Sequence, residues 1–296
     1  MKKDYDIVIL GAGLVGMFLA LKLTRENIKV CLIDKLKKKL SSTSKDNRTT
    51  AISQGSARIL KTVNLWNKLK KFAQPIDKIV VTEGLSNSKI NFDSNITNEG
   101  PMGFIIENRY LRKIFLTEVE RSPGIKFLDS TEITDSIVNS SNHLSIIANG
   151  KSILCDLLVG ADGRYSKTRF HANIKYRYQE YNQKAFVFCI THQKPHNSIA
   201  LERFFPTGPM ALLPMKSLKG NKSSVVWTID NNKEKYIKNL NYDFKKKFES
   251  CYQNFFGKLA NISKPAIYPL NVFSCYDYYK KRIVLVGDAC QAIHPI

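Results

Sequence analysis

The sequence predicts an α/β fold, in which a doubly wound parallel sheet is accompanied by a second, β-rich domain. Three observations lead to this prediction. A β-branched run near the N-terminus ends in a glycine-rich turn that opens an apolar helix, two later strands each end in a glycine and an aspartate, and from residue 185 the pattern is mainly of strands. With 296 residues the chain has room for one large or two ordinary domains.

The first feature is the start of a βαβ unit. Tyr5–Leu10 reads as a strand, Gly11-Ala-Gly13-Leu-Val-Gly16 as the turn, and residues 17–23 as the helix. Gly11 permits the tight turn, and Gly13 lets a diphosphate approach the positive end of the helix. Gly16 allows close packing of the helix on the strand.

The second strand of this unit covers residues 29–34 and ends in Asp34. A carboxylate at this place accepts hydrogen bonds from the ribose hydroxyls of an adenosine. Strand, glycine turn, helix and terminal acid together favour dinucleotide binding over a purely structural turn. The carboxylate also disfavours a 2′-phosphate, so we expect FAD or NAD rather than NADP, and the glycine pattern alone does not choose between those two.

Two later motifs have the same character. A strand over residues 152–159 leads into Gly160-Ala-Asp162-Gly163, and a strand over residues 282–286 leads into Gly287-Asp288. Ligands collect at the carboxyl ends of strands in doubly wound sheets. Either aspartate alone also fits a turn residue or a helix cap. The occurrence of three motifs in this order is the more specific signal.

These three motifs resemble those of the FAD-dependent aromatic hydroxylases, the single-component flavoprotein monooxygenases related to p-hydroxybenzoate hydroxylase. The resemblance implies a Rossmann-like FAD-binding domain with a three-layer ββα architecture, interleaved with a β-rich substrate domain. It implies that Asp288 contacts the ribityl chain of FAD, and that Asp162 and Gly163 serve the FAD side and the passage of the nicotinamide cofactor. The implied cofactor-binding set at these motifs is Gly11, Gly13, Gly16, Asp34, Asp162, Gly163, Gly287 and Asp288.

Three further segments are similar to the ubiquinone-biosynthesis hydroxylases within that family. They are residues 46–56 followed by Leu60 and residues 64–66, residues 107–111, and residues 202–214. The resemblance implies that Arg48 and Arg109 lie beside FAD and that residues 202–214 form substrate-domain sheet near the flavin ring. Without the resemblance, surface ion pairs and an edge hairpin would be the simpler interpretations.

The same resemblance sets the expected domain boundaries. Residues 1–75, 96–175 and 281–296 are expected to form the FAD-binding domain, and residues 76–95 and 176–280 the substrate domain. In this family the motif at residue 287 continues Gly-Asp-Ala-x-His-x-x-His-Pro and then Gly-Gln-Gly. Gln291 replaces the first of these histidines and the sequence ends at Ile296, so we expect a FAD-binding domain that is incomplete at its C-terminal side.

The resemblance also implies an activity. We expect a monooxygenase that carries FAD, uses NAD(P)H and O2, and hydroxylates the aromatic ring of a polyprenylated phenol in ubiquinone biosynthesis. Other ubiquinone-biosynthesis proteins are candidate partners. The alternatives are a flavin-dependent reductase or dehydrogenase of the same superfamily, and a non-catalytic FAD-fold subunit of a biosynthetic assembly. No catalytic residue is assigned, because the sequence has no nucleophile signature and the hard chemistry belongs to the cofactor.

Charge leaves several interpretations open. Lysine and arginine number 46 against 25 acidic residues, a net charge of +21. Only 11 of the 46 are arginine, which disfavours nucleic-acid binding. A solvated basic surface is the favoured interpretation, and contact with an anionic membrane surface is the alternative.

The remaining residue types exclude other classes of site. Six cysteines without a Cys-x-x-Cys pair fit neither a zinc site nor a disulfide scaffold, so we expect a cytoplasmic protein, with peripheral contact to the inner face of the membrane as the alternative. No apolar stretch is long enough for a bilayer-spanning helix. His192 and His196 are predicted to be solvated rather than metal-binding, because Pro195 interrupts the segment. We therefore expect no metal site.

Overall fold

The computed structural model describes residues 3–37, 48–84, 86, 88–96, 99–139, 143–233 and 242–293. The chain forms two compact units. The first unit contains Met1–Lys45, Leu111–Gln179 and Asn271–Pro295. The second contains Asp46–Tyr110 and Glu180–Leu270, with Ile296.

The regular elements follow in chain order. The strands are β1 (Tyr5–Leu10), β2 (Val30–Ile33), β3 (Thr49–Ser53), β4 (Gln74–Ile76), β5 (Lys78–Glu83), β6 (Lys89–Asp93), β7 (Gly103–Glu107), β8 (Ile125–Leu128), β9 (Ile133–Asn139), β10 (Leu144–Ala148), β11 (Lys151–Gly160), β12 (Tyr176–His192), β13 (Ile199–Phe205), β14 (Gly208–Met215), β15 (Lys222–Asp230), β16 (Leu259–Ile262), β17 (Ala266–Cys275), β18 (Tyr279–Lys280), β19 (Ile283–Leu285) and β20 (Gln291–Ala292). The α-helices are α1 (Leu14–Thr24), α2 (Gln54–Thr62), α3 (Trp66–Leu69), α4 (Asn108–Arg121), α5 (Lys167–His171), α6 (Tyr242–Ser250) and α7 (Gln253–Phe256). Short 3-10 helices cover Lys70–Phe72, Ser94–Ile96, Asn231–Lys233 and Gly287–Ala289.

The first unit is built on a parallel sheet in the order β19-β11-β1-β2-β8. Every residue of β2 is buried, as a parallel strand covered on both faces requires. Helix α1 packs against β1, β2 and β8. The antiparallel strands β9 and β10 extend from the first half of β11, and their side chains share one buried cluster with those of β1 and β2. Helix, parallel sheet and β-layer agree with the predicted three-layer architecture.

The second unit is built on the β12-β15-β14-β13-β5-β6 sheet. Its strands pair antiparallel except for β13 and β5, which are parallel. One face of this sheet packs against helices α6 and α7 in a cluster rich in aromatic side chains, among them Phe186, Phe188, Phe248 and Phe256. The predicted change to a β-rich pattern after residue 185 is therefore confirmed.

The compact units differ from the predicted boundaries over four segments. Residues 176–179 and 271–280, which the sequence placed in the substrate domain, belong to the first unit. Residues 46–75 and 96–110, which the sequence placed in the FAD-binding domain, belong to the second unit. The reason is a small antiparallel sheet, β3-β7-β4, whose Ile76 and Ile105 pack with Ala200 and Met215 of the larger sheet. Apolar burial holds this small sheet to the β-rich unit.

Two expectations are corrected by local structure. His192 and His196 are 0% and 2% exposed, so the prediction of solvated histidines is wrong. The ring nitrogens of His192 lie 2.7 Å from the Lys194 carbonyl oxygen and 2.9 Å from Ser223 Oγ, which satisfies the buried ring. Strand β12 begins at Tyr176 rather than near Ala185. The sequence did not indicate this earlier start, because the first seven residues of the strand are exposed and lack the alternation expected of a half-buried strand.

Candidate cofactor-binding site

The glycine turn sits between β1 and α1, at the carboxyl end of the parallel sheet. Gly11 has φ +102°, and a Cβ there would overlap the carbonyl oxygen of Ala161. A Cβ on Gly16 would overlap the carbonyl oxygen of Gly11. Both glycines are therefore required by the packing of the chain itself.

Gly13 is different from the other two glycines of the turn. It is the N-cap residue of α1 with φ −70°, and no heavy atom lies within 4 Å of the position of its Cβ. Packing and backbone conformation would both tolerate a side chain here. The space beside Gly13 is open at the N-terminus of an 11-residue helix, where backbone N–H groups and the helix dipole favour an anion.

Asp34 closes the turn from the neighbouring strand. Its Oδ2 accepts a hydrogen bond of 2.6 Å from the backbone N–H of Ala12, and its Oδ1 accepts one of 2.8 Å from Leu36. A cavity of about 180 Å³ lies beside it, and Gly11, Asp34 and Asp162 all line this cavity. The structure thus brings together three residues that the sequence predicted from separate motifs.

Asp162 has a clear local role in the first unit. Its Oδ2 accepts hydrogen bonds of 3.0 Å from the backbone N–H and the hydroxyl of Thr168, and its Oδ1 accepts one of 2.5 Å from Ser166 Oγ. These bonds fix the start of α5, so the helix-cap interpretation of this aspartate describes its contacts. Gly163 has φ +80°, with open space around its Cβ position.

The Gly287–Ala289 turn follows β19 at the same edge of the sheet. Gly287 has φ +60°, and a Cβ on it would lie 3.2 Å from Val15 Cγ2 of α1. Asp288 is exposed, in the first turn of the 3-10 helix. Its carboxylate has no hydrogen bond or ion pair within the part of the chain that the structure describes, which leaves it available to a ligand hydroxyl.

Arg169 joins two of these motifs, and sequence reasoning missed it. Its side chain is 7% exposed. Nη1 donates a 2.8 Å hydrogen bond to the Ala289 carbonyl, and Nη2 donates one of 2.8 Å to the Arg164 carbonyl. The guanidinium also lies 4.7 Å and 4.8 Å from the ring centres of Tyr176 and Phe273. Arg169 therefore ties the turn after β11 to the turn after β19.

Arg48 and Arg109 lie in the second unit. The Arg48 guanidinium lies 5.4 Å from the ring centre of Tyr268, and the Arg48 carbonyl accepts a 3.0 Å hydrogen bond from the Asn108 N–H. Arg109 forms a 2.9 Å ion pair with Glu107, which favours its charged form and raises its pKa against the effect of burial. The two arginines flank one end of the β3–β7 ladder. Asp46 and Asn47, quoted with Arg48 in the sequence motif, lie outside the described residues.

The residues of the first unit fit a flavin dinucleotide. Open space at the Gly13 N-cap suits a diphosphate, the cavity beside Asp34 suits a nucleoside, and the unpaired Asp288 suits a polyol chain. Among the described residues no group of three or more histidines, cysteines, aspartates and glutamates could hold a metal ion. No helix within the described ranges is long and apolar enough to cross a membrane.

Comparison with known proteins agrees with this geometry. The model of a family described as FAD binding domain matches residues 4–296. The chain belongs to this FAD-binding family. FAD is therefore its cofactor, and the choice of FAD over NAD that the glycine pattern left open is settled. Membership also confirms the predicted fold class.

Two relatives and one solved structure define the place of the chain within the family. It is 33% identical to ubiquinone hydroxylase UbiL of Rhodospirillum rubrum, over 99% of this chain and 68% of UbiL. It is 26% identical to ubiquinone hydroxylase UbiM of Neisseria meningitidis, over 100% of this chain and 65% of UbiM. The chain thus spans about two thirds of the length of these relatives. Its fold matches p-nitrophenol 4-monooxygenase PnpA from Pseudomonas putida with a TM-score of 0.79 at 14% identity, covering 100% of this chain and 75% of that one. The resemblance to ubiquinone-biosynthesis hydroxylases is confirmed.

Proposed function

We propose that this protein is an FAD-dependent monooxygenase that hydroxylates the aromatic ring of a prenylated phenol in ubiquinone biosynthesis, with NAD(P)H and O2 as co-substrates. The observation that carries the proposal is the meeting of three turns, after β1, β11 and β19, at the carboxyl edge of one parallel sheet. The relation to UbiL and UbiM supplies the reaction class.

Different residues of the chain bind different parts of FAD in this proposal. In this proposal Gly13 admits the diphosphate, Asp34 accepts from the ribose hydroxyls, and Asp288 accepts from the ribityl hydroxyls. Arg48 and Arg109 are assigned to the FAD surface. Bound FAD supplies the redox chemistry, in which electrons from NAD(P)H reduce O2 and one oxygen atom passes to the ring. The protein positions the phenol, excludes water and stabilises its ionised form.

Three further assignments belong to this proposal. We place the protein in the cytoplasm, where a solvated basic surface accounts for the net charge of +21. Peripheral contact with the inner face of the membrane is the alternative, because prenylated phenols reside in membranes. Other proteins of ubiquinone biosynthesis are its proposed partners. Residues 76–95 and 176–280 are assigned to substrate binding.

The test has two stages. The purified chain is first examined for flavin absorbance near one FAD per chain, with Gly13→Asp as the variant expected to lose it. The flavin-loaded protein is then given NADH or NADPH and a phenol under oxygen-18 gas. Labelled oxygen in the product supports the proposal. Consumption of NAD(P)H without labelled product would instead identify a reductase, and a flavin-free chain that still binds biosynthetic partners would identify a non-catalytic subunit.

A further inference from the structure

One face of the large sheet in the second unit carries a buried carboxyl group among apolar side chains. Register places Val81, Glu202, Ala211, Val226 and Val187 side by side across β5, β13, β14, β15 and β12. We call these five residues the valine row. They lie on the face opposite to helices α6 and α7. All except Ala211 are half-buried, so the row forms a partly open apolar floor.

Glu202 is out of place in such a row. Its Oε1 atom is buried and has no hydrogen-bond partner in the described part of the chain. Burial alone raises the pKa of its carboxyl to about 7. Native structures rarely leave a buried polar atom unpaired, and such an atom calls for an explanation. A ligand that brings its own hydrogen-bonding group to this face would supply the missing partner.

The other polar groups on this face of the sheet lie outside the valine row. The hydroxyls of Ser224 and Thr228, on either side of Val226 along β15, are also buried without a partner among the described residues. None of the charged or titratable groups around this face contributes to the shift at Glu202. Those on the same face are Glu83, Cys189, Lys222 and Asp230. Glu107 lies on the small sheet packed against this face, and Arg109, at the start of α4, forms an ion pair with it.

We propose that Glu202 is the catalytic base of this protein and takes the proton from the hydroxyl of a phenolic ring lying on the valine row. The phenol O–H bond breaks, the proton moves to a carboxylate oxygen of Glu202, and the electron pair stays on the phenolate oxygen. Ionisation raises the electron density of the ring carbons, which prepares the ring for hydroxylation. The inference rests on the proposed function, because it requires a phenolic substrate. A base that titrates near the operating pH is efficient in proton transfer.

The probe is 4-hydroxyacetophenone, whose phenolate absorbs at longer wavelength than the phenol. The purified chain is added to the probe at a series of pH values, and each spectrum is compared with that of the probe alone in buffer at the same pH. Glu202→Gln keeps the shape of the side chain and removes its basicity. Glu83→Gln, an exposed glutamate of the same face on the adjacent strand, is the matched control. Urea unfolding of each variant verifies that it is folded.

We expect a phenolate band in the wild-type protein that grows as the pH rises through about 7, the same band in Glu83→Gln, and none in Glu202→Gln. In turnover, Glu202→Gln should lower kcat about 10²-fold, with little change in KM and without the wild-type pH dependence. A band that persists in Glu202→Gln, or a wild-type protein that shows none, overturns the assignment. If labelled product still forms in that case, the proposed function stands without Glu202. If the protein neither binds the phenol nor forms labelled product, both proposals fail.

Discussion

Arg169 provides the sharpest test of how the cofactor site is held together. The substitution Arg169→Met keeps an unbranched apolar side chain between Tyr176 and Phe273 and removes the guanidinium. Two hydrogen bonds of 2.8 Å from a 7% exposed cation are lost, to the carbonyls of Ala289 and Arg164. A hydrogen bond to a charged group is worth about 1.5–3 kcal/mol, so the free energy of unfolding should fall by about 3–6 kcal/mol. That is a large part of the stability of an ordinary domain.

The substitution Arg169→Met should also weaken FAD binding. Without Arg169 the Gly287–Ala289 turn is no longer tied to the turn after β11, so Asp288 becomes less well positioned and FAD affinity should fall about tenfold or more. Urea unfolding followed by circular dichroism measures the first effect, and FAD titration of the folded protein measures the second. Arg164→Met is the control, because its half-buried side chain makes a 3.0 Å hydrogen bond to Asn271 Oδ1 and not to either motif carbonyl. Its cost should be about half that of Arg169→Met or less, about 1.5–3 kcal/mol, because it loses one hydrogen bond from a charged group instead of two. An Arg169→Met protein as stable as Arg164→Met would refute the reasoning.

Three more predictions follow from single positions. Gly11→Ala should lower the free energy of unfolding by about 2–4 kcal/mol, because its Cβ would overlap the backbone of Ala161. Gly13→Asp should leave the free energy of unfolding nearly unchanged and abolish FAD binding. Urea midpoints and flavin absorbance measure the two effects, and an equal loss of stability in both variants would contradict the packing argument. Burial lowers the pKa of His192, so the folded state resists protonation of its ring, and the free energy of unfolding should decrease as the pH falls below about 6.5. Urea titrations between pH 5 and 8 should show that His192→Gln removes about one proton from this pH dependence. Burial raises the pKa of Glu202, so the folded state favours its protonated form, and the free energy of unfolding should decrease as the pH rises towards about 7. Glu202→Gln should be more stable than the wild type at high pH and similar to it well below the ordinary carboxyl pKa. Equal stability of the two proteins at high pH would exclude a buried charge at this position.

Sequence predicted the parts of the site that depend on local conformation. Gly11, Gly163 and Gly287 all have positive φ, which glycine adopts at no steric cost, and each follows closely after a strand. The βαβ order and the terminal Asp34 are equally local. For this reason the three turns were predictable, and so was their meeting at one edge of a parallel sheet.

What sequence could not give depends on long-range contacts. Arg169 reads as an ordinary basic residue near a helix start, and its bond to Ala289 crosses 120 residues. Strand β3 has only five residues, and its place is set by pairing with β7, whose paired residues lie 50 to 58 positions away. The buried histidines were misjudged because their partners, Ser223 Oγ and the Met215 carbonyl, come from distant strands. The unpaired oxygen of Glu202 likewise shows only when the sheet is assembled.

The interleaved order of the parallel sheet has a consequence for synthesis on the ribosome. Strand β1 pairs with β2 within the first 33 residues, but its other neighbour, β11, is completed only at residue 160, and β19 beyond it only at residue 285. At about 5–20 residues per second, roughly 6–25 s pass between the completion of β2 and that of β11, and the Gly287–Ala289 turn is made later still. Until β11 is made, one edge of β1 is an apolar strand without its partner, so nascent-chain chaperones would act during that interval. FAD would bind only after it, because Asp162 and Asp288 follow β11 and β19 in the chain.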